Sequence, residues 1–447
     1  LNIRRFCPLK VSFRQIMRYN TSIKRAEDIV LKHMSPRKRK PLWLLYALAG
    51  VAVVFAVVAL VKTVGGLDLF PKTDPDATPT LAGDALALTE AQTTQSAESE
   101  AAERQTLLEQ CKLMLRSYYY DEVMEILGKT ELKNSETEAL RAEAEALKAS
   151  LVLYEGEQLY HVFFHSLIID TDKAFDGDSR AQGYNEYMTT QYEFKKMLPI
   201  FLEQGFVLYD IKEMVEYVDG KAQRKDIYLP AGKKPLVISI DDVCYYDYMQ
   251  TDGFAQRLDV DADGNVVTVV LDDNGNEKVT YDGDVMPILD AFVKEHPEFS
   301  YKGYKGIVAV TGYQGAYGYR ITDLDEVDKE TGELVYDAET GKWMQDKVVE
   351  VSNALRATGW DVSCHSYTHN AYWSKGTITE ESFDKYEKRW NEQMAPYLGE
   401  CSIFISPNGA WANPGKVHWA IRRLVDSRFN IYCPVGPGFH TSYPAAF

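Results

Sequence analysis

From about Gln158 onward, short continuous apolar runs alternate with longer amphipathic ones, and no other feature constrains the fold as much. The runs LYHVFFHSLII, FVLYD, KPLVISI, GIVAVT, WDVSC, SIFIS and FNIYCPV are short and mostly unbroken by polar residues, as expected of strands covered on both faces. Between them lie TQYEFKKMLPIFLEQG, DVMPILDAFVKEHP, DKVVEVSNALRATG, EESFDKYEKRWNEQMAPYLG and GKVHWAIRRLVD, with apolar residues at helical spacing. Gly205 is expected to stop the first of these helices. Such alternation argues for parallel strands covered by helices, as a β/α barrel or a doubly wound sheet. Two charged insertions, 254–283 and 322–345, read as hairpins turning on Asp-Gly, Asn-Gly and Thr-Gly pairs. The first contains Asp259 to Gly264, spaced like a calcium loop, but Val270 stands where a bidentate Glu is required.

The N-terminal third reads differently. Leu42 to Val61 is twenty residues without a charge, enough at about 1.5 Å per residue to cross a hydrocarbon core of roughly 30 Å. Arg37 to Lys40 precede this run and only Lys62 follows closely. The positive-inside bias therefore predicts a single-pass membrane anchor at 42–61, a cytoplasmic basic tail at 1–41 and everything later outside the cytoplasm. The run is long for a cleaved signal peptide, and no A-x-A site follows it. Met34 reads as the natural start, with 1–33 an upstream extension, and the end at Phe447 as a truncation of C-terminal strands.

Residues 62–99, rich in Thr, Ala, Pro and acids, read as a solvated linker. Residues 100–155 read as two or three short antiparallel helices of tetratricopeptide-like pattern, with Ser135 and Glu138 as a capping box. This segment is expected to be a spacer, or alternatively a small module that binds a protein partner.

A formal net charge of -17 argues against a nucleic-acid partner. The six cysteines show no CxxC spacing, which excludes zinc-finger and dithiol redox readings. Cys401 and Cys433 can pair in an exported domain, or all can stay buried thiols.

In parallel β/α folds the chemistry gathers where strands end, because those loops open on one face. Strand LVISI ends in Asp241 and Asp242, WDVSC in His365 to His369, and SIFIS in Pro407, Asn408 and Gly409. FNIYCPV leads to His440, and the first strand carries His165 near its end. His365 and His369 are four apart and would share one face of a helical turn. Two imidazoles and the Asp242 carboxylate match an open catalytic metal site. Asp241 would then be the base, since a ligand carboxylate is already engaged. Tyr245, Tyr246, Tyr248, Tyr367, Tyr372, Trp373 and Trp411 flank the motifs and read either as sugar-stacking surfaces or as loop packing.

These motifs, in this order, resemble the polysaccharide deacetylases with a NodB homology domain, carbohydrate esterase family 4. SIDDV resembles the family's T-F-D-D-G, HSYTH matches H-S/T-x-x-H, and ISPNG resembles R-x-P-x-G/Y. The resemblance spans about residues 158–447 and implies a distorted (β/α) barrel of the NodB type that removes acetyl groups from N-acetylated polysaccharide. It implies a divalent metal, commonly zinc, with cobalt or manganese as alternatives. It further implies Asp241 as base, Asp242, His365 and His369 as metal ligands, and the backbone N–H of Asn408 as an oxyanion donor. Val243 replaces the Gly after the acids, Ile405 replaces the Arg that orients the base, and no late L-x-x-H motif is evident. Arg320 and His440 are candidates for the missing cation and the missing acid. The main expectation is therefore a membrane-anchored, extracytoplasmic metal-dependent deacetylase acting on cell-envelope or other polysaccharide. The alternatives are a catalytically degenerate barrel that binds glycan or a partner, and an O-acetyl polysaccharide esterase.

Overall fold

A computed structural model describes residues 83–434 of the chain, except 157, 158, 220, 324–334, 371–376, 410–418 and 425–428. The expected anchor at 42–61, the tail before it, His440, Tyr372, Trp373 and Trp411 lie outside the described residues. Among the described residues no helix is long and apolar enough to cross a membrane.

Seven parallel strands form the sheet: β1 (Tyr160–Phe164), β2 (Phe206–Leu208), β3 (Lys234–Ile240), β4 (Gly306–Val310), β5 (Trp360–Cys364), β6 (Ile403–Ile405) and β7 (Ile431–Cys433). Their order is β7-β6-β5-β4-β3-β1, with β2 paired to the start of β3. The register sets Tyr160 against Leu236 and Phe164 against Ile240, then Gly306 against Trp360 and Val310 against Cys364. One face carries Val162, Phe164, Leu236, Ile238, Val308, Val310, Val362 and Phe404, packed with helix residues such as Phe194, Leu198, Leu289, Val348, Leu355 and Trp390. The other gathers Leu159, Val237, Ile307, Ala309, Ile403, Ile405 and Cys433 into a second cluster. Leu159 and Cys433 come from opposite edges of the sheet, so that face is the concave one. The architecture is a mixed α/β fold with a parallel sheet curled into a half-barrel, which agrees with the barrel expectation and excludes a flat doubly wound sheet.

Helices cover the convex face between strands, among them Glu380–Gln393 with Phe383 and Trp390. Helix α4 (Gln191–Glu203) starts in a Thr190/Glu193 capping box, and α5 (Val285–Glu295) is capped by Asp284. Gly205 ends α4 as expected: its φ is +77°, and a Cβ there would meet the Gly232 carbonyl oxygen at 2.7 Å. Helix α6 (Ala338–Ala357) begins earlier than the sequence pattern suggests. Its first turns occupy part of the expected 322–345 hairpin, because Asp337 accepts the Thr340 N–H and caps the helix there. The other hairpin insertion is present as a three-stranded antiparallel sheet, Arg257–Val260, Val266–Leu271 and Glu277–Thr280. Its Asp261 side chain accepts the N–H groups of Asp263 and Asn265, so the calcium-like spacing serves a turn.

The helical segment is α1 (Gly83–Arg116), α2 (Tyr120–Lys129) and α3 (Ser135–Ala149). Helix α1 reaches back into the stretch expected to be linker; its turns before Thr106 belong to a separate compact unit. The cap of α3 lies one residue earlier than expected, with Asn134 and Thr137 forming the box in place of Ser135 and Glu138. Asn134 is the extended residue, and its carboxamide reaches the N–H groups of Glu136 and Thr137. Leu108, Cys111, Leu115, Val123, Leu127 and Leu140 bury themselves with Val207 of β2, so this segment spends its apolar face on its own barrel. Tyr118 stacks on Tyr301 at 5.5 Å, and Arg116 pairs with Glu298 at 2.7 Å. Cys401 and Cys433 stand as buried thiols and form no disulfide.

Candidate metal centre

The first motif gains its geometry from one sharp reversal. Asp241 continues the inward alternation of β3, and its N–H donates to the Phe164 carbonyl at 2.8 Å, extending the β1–β3 ladder. Asp242 then adopts φ +58°, and the Cys244 N–H donates back to the Asp242 carbonyl at 2.7 Å. A non-glycine residue tolerates that region best when it is Asp or Asn. Neighbouring carboxylates thereby leave the strand in different directions. Val243 is pinned from both sides: its N–H donates to Ala309 O at 3.1 Å, and its carbonyl accepts from Tyr317 N at 2.8 Å.

The two histidines reach the same point from β5. The His365 N–H donates to Val310 O at 2.8 Å, and its ring Nδ1 lies 2.9 Å from Ile405 O. A carbonyl only accepts, so Nδ1 carries the proton and Nε2 presents its lone pair. That Nε2 lies 3.7 Å from Asp242 Oδ1, and His369 Nε2 lies 3.3 Å from Asp242 Oδ2. The expectation that the histidines share a helical turn is corrected here. Residues 365–369 form an irregular loop in which Ser366 and His369 take φ of +67° and +45°. The Ser366 hydroxyl, accepting the His369 N–H at 3.1 Å, holds that loop. Left-handed Asp242, Tyr245, Ser366, His369 and Asn408 all lie in the strand-end loops, where backbone strain commonly serves function.

Asp242, His365 and His369 each offer one ligand atom, and these atoms lie within 4.8 Å of one another. Burial pushes the Asp242 carboxyl up, but the surrounding His365, His369 and His165 rings and the Tyr246 hydroxyl outweigh it and hold the group below its ordinary value. Tyr246 donates to Asp242 Oδ1 at 2.6 Å. His165 Nε2 stands 4.0 Å from Asp242 Oδ2, and its buried Nδ1 has no hydrogen-bond partner. Among the described residues no Lys or Arg pairs with Asp242, so a carboxylate enclosed by imidazole nitrogens matches the donor set of a divalent cation. These residues fit the expected metal.

The remaining candidates sit as follows. Asp241 is buried, with its Oδ1 accepting from the Ser239 hydroxyl at 3.3 Å. Arg320 does not serve it: the guanidinium donates to the carbonyls of Cys244, Gln314 and Tyr245 and to Asp247 Oδ1, at 2.6–3.0 Å. It clamps the loop after the two acids, so its expected role as cation beside the base is replaced by a loop-holding one. Asn408 lies exposed just past β6, at the same strand edge, with φ +54°. Tyr245 and Tyr367 are buried, which makes them packing groups, while Tyr248 remains exposed and stacks on Tyr246. Sequence reasoning missed Tyr246 as a partner of Asp242, and also Ser239. Its one available signal was position, two residues before Asp241 on the same strand and thus on the same inward face.

No family profile and no curated protein sequence matches the chain. Among solved structures it is similar to a Streptococcus pyogenes deacetylase in complex with acetate, at 11% identity and TM-score 0.28, covering 62% of this chain and 81% of that one. It is also similar to a polysaccharide deacetylase from Bacillus cereus, at 11% identity and TM-score 0.30, covering 61% of this chain and 56% of that one.

Proposed function

We propose that this protein is a metal-dependent deacetylase that hydrolyses acetamido groups of N-acetylated polysaccharide, held at a membrane by residues 42–61 with its barrel outside the cytoplasm. The observation that carries the reading is the convergence of Asp242, His365 and His369 within 4.8 Å, with a second buried carboxylate beside them. Asp242, His365 Nε2 and His369 Nε2 would hold the cation. A bound divalent ion, most simply zinc, polarises a carbonyl and eases deprotonation of water.

The chain's own residues divide the other tasks. Asp241 takes the proton of the attacking water as the carbonyl carbon gains an oxygen. The carbon–nitrogen bond then breaks as the proton taken up by Asp241 passes to the leaving amine, and acetate is released. Tyr246 and the Ile405 carbonyl hold Asp242 Oδ1 and His365 in place. Asn408 N–H is assigned to the oxyanion, as its position past β6 allows.

The test is acetate release from N-acetylglucosamine oligomers and peptidoglycan by the full chain with zinc, cobalt or manganese. The expected result is turnover that falls at least about 100-fold in Asp241→Asn while metal stays bound. Equal rates for both proteins would overturn catalysis. Ile405, fully buried where an arginine would orient the base, favours a second reading in which the barrel binds glycan without turnover. Saturable glycan binding without acetate release would select it. Faster release from acetylated xylan than from chitin oligomers would select an O-acetyl esterase.

A further inference from the structure

We propose that His161 and Ser239 form a buried hydrogen-bonded ladder that orients the Asp241 carboxylate, making both of them positioning residues. The proposal rests on Asp241 acting as the base. Leu159, His161 and His165 alternate inward along the first strand, and Val237, Ser239 and Asp241 do the same along β3. The concave space around them is lined by Val237, Ile307, Ala309 and Ile405, each at most 1% exposed. Into this space the chain places His161, Ser239 and Asp241, themselves 5%, 0% and 4% exposed.

Polar groups are costly in such a place unless bonded. Here they are bonded to one another. His161 Nε2 lies 2.9 Å from Ser239 Oγ, and Ser239 Oγ lies 3.3 Å from Asp241 Oδ1. The proton count gives the ladder a direction. An ionised carboxylate only accepts, so Ser239 spends its single hydroxyl proton on Asp241. Its oxygen must therefore accept from His161, which assigns the proton of that imidazole to Nε2. The ladder has one polarity, from ring to hydroxyl to carboxylate, and it fixes the rotation of the Asp241 side chain. Arg320 does not take this place, being committed to the loop carbonyls and Asp247.

Two measurements on the full chain test this. In steady-state acetate release, Ser239→Ala and His161→Phe are expected to lower kcat about 10- to 100-fold with KM and bound metal unchanged. Ser239→Thr and His161→Gln keep a hydroxyl and an N–H donor, and each is expected to recover most of the loss. Failure of both conservative variants to recover activity, or full activity in the disruptive ones, would overturn the proposal.

The second measurement needs no turnover and so separates this proposal from the deacetylase reading. In histidine-selective nitrogen NMR, His161 is expected as the Nε2-protonated tautomer, its Nε2 resonance moved by Ser239→Ala and again by Asp241→Asn. A resonance indifferent to both substitutions, or the opposite tautomer, would overturn the ladder even if acetate is released. The expected shifts without acetate release would leave the ladder standing and remove the catalytic reading.

Discussion

Strand β5 carries an acid at one end and a metal-type ligand at the other, and the two ends solve the burial of carboxylates differently. At its start, Asp361 meets Asp210 across the concave space, and Lys212 bridges them at 2.6 and 3.5 Å while Tyr304 donates to Asp361 at 3.3 Å. At its finish, Asp242 sits among His365, His369 and His165, and Tyr246 is its only hydroxyl donor among the described contacts. The first cluster carries its own ammonium; the second offers a carboxylate and imidazole nitrogens within 4.8 Å of one another, the donor set of a cation site. Asp284 offers a third case nearby. Fully buried, it accepts from neutral donors among the described residues, including Tyr245 and the N–H groups of Leu167 and Val285. Burial pushes its carboxyl up to about 6, although those donors oppose the rise. The contrast teaches that what surrounds a buried carboxylate, ammonium, imidazole or neutral dipole, decides whether it is a structural strut or a candidate site.

Substituting one partner type for another should convert one case into the next. The largest effect is expected for His369→Lys, which supplies Asp242 with a resident ammonium in imitation of the other end. Acetate release should fall at least about 1,000-fold with cation binding lost, while thermal unfolding shifts little. Retained metal and activity would break the comparison.

Asp284→Asn comes next. A folded-state carboxyl raised to about 6 from 3.8 means that folding favours the protonated form. Its stabilising share is therefore full below about pH 4 and is lost as pH rises through about 6, leaving a cost of about 3 kcal/mol at neutral pH. Asn cannot ionise, so denaturant unfolding between pH 4 and 8 should lose that part of its slope. An unchanged slope would show that Asp284 is not the group responsible.

Lys212→Met should destabilise by about 1–2 kcal/mol at pH 8, a modest figure because the ammonium is partly exposed. Asp210 is raised to about 6, chiefly by burial and then by the Asp361 charge, with Lys212 opposing both. Its protonation below that value relieves the repulsion between the acids, so the penalty should shrink toward pH 5. Activity per folded molecule should not change, since this cluster lies at the far end of the strands. The smallest effect, below about 1 kcal/mol, is expected for Arg116→Ala, which removes a half-exposed pair between the helical segment and Glu298.

Much of this arrangement is legible in the sequence because burial on both faces leaves strands as unbroken apolar runs. Asp241, Asp242, His365 and His369 stand out as ionisable residues at the ends of such runs. What stayed hidden depends on conformation. An H-x-x-x-H spacing looks the same in a helix and in the strained loop that holds His365 and His369. A serine two residues before Asp241 in an apolar strand shares its face, but that spacing alone does not mark it as a partner of the carboxylate. Arg320 was a plausible partner for the base by its charge; only the carbonyls of Cys244 and Tyr245 around it reveal its actual use. The cap at Asn134 and the early start of α6 turned on single side-chain hydrogen bonds that spacing cannot rank.

Metal analysis tests the central claim most directly. Equilibrated with zinc and dialysed, the full chain should retain about one equivalent of cation, and Asp242→Asn and His365→Gln should each retain far less while unfolding at similar temperatures. A chain that retains no cation, or variants that retain as much as the parent, would contradict the account.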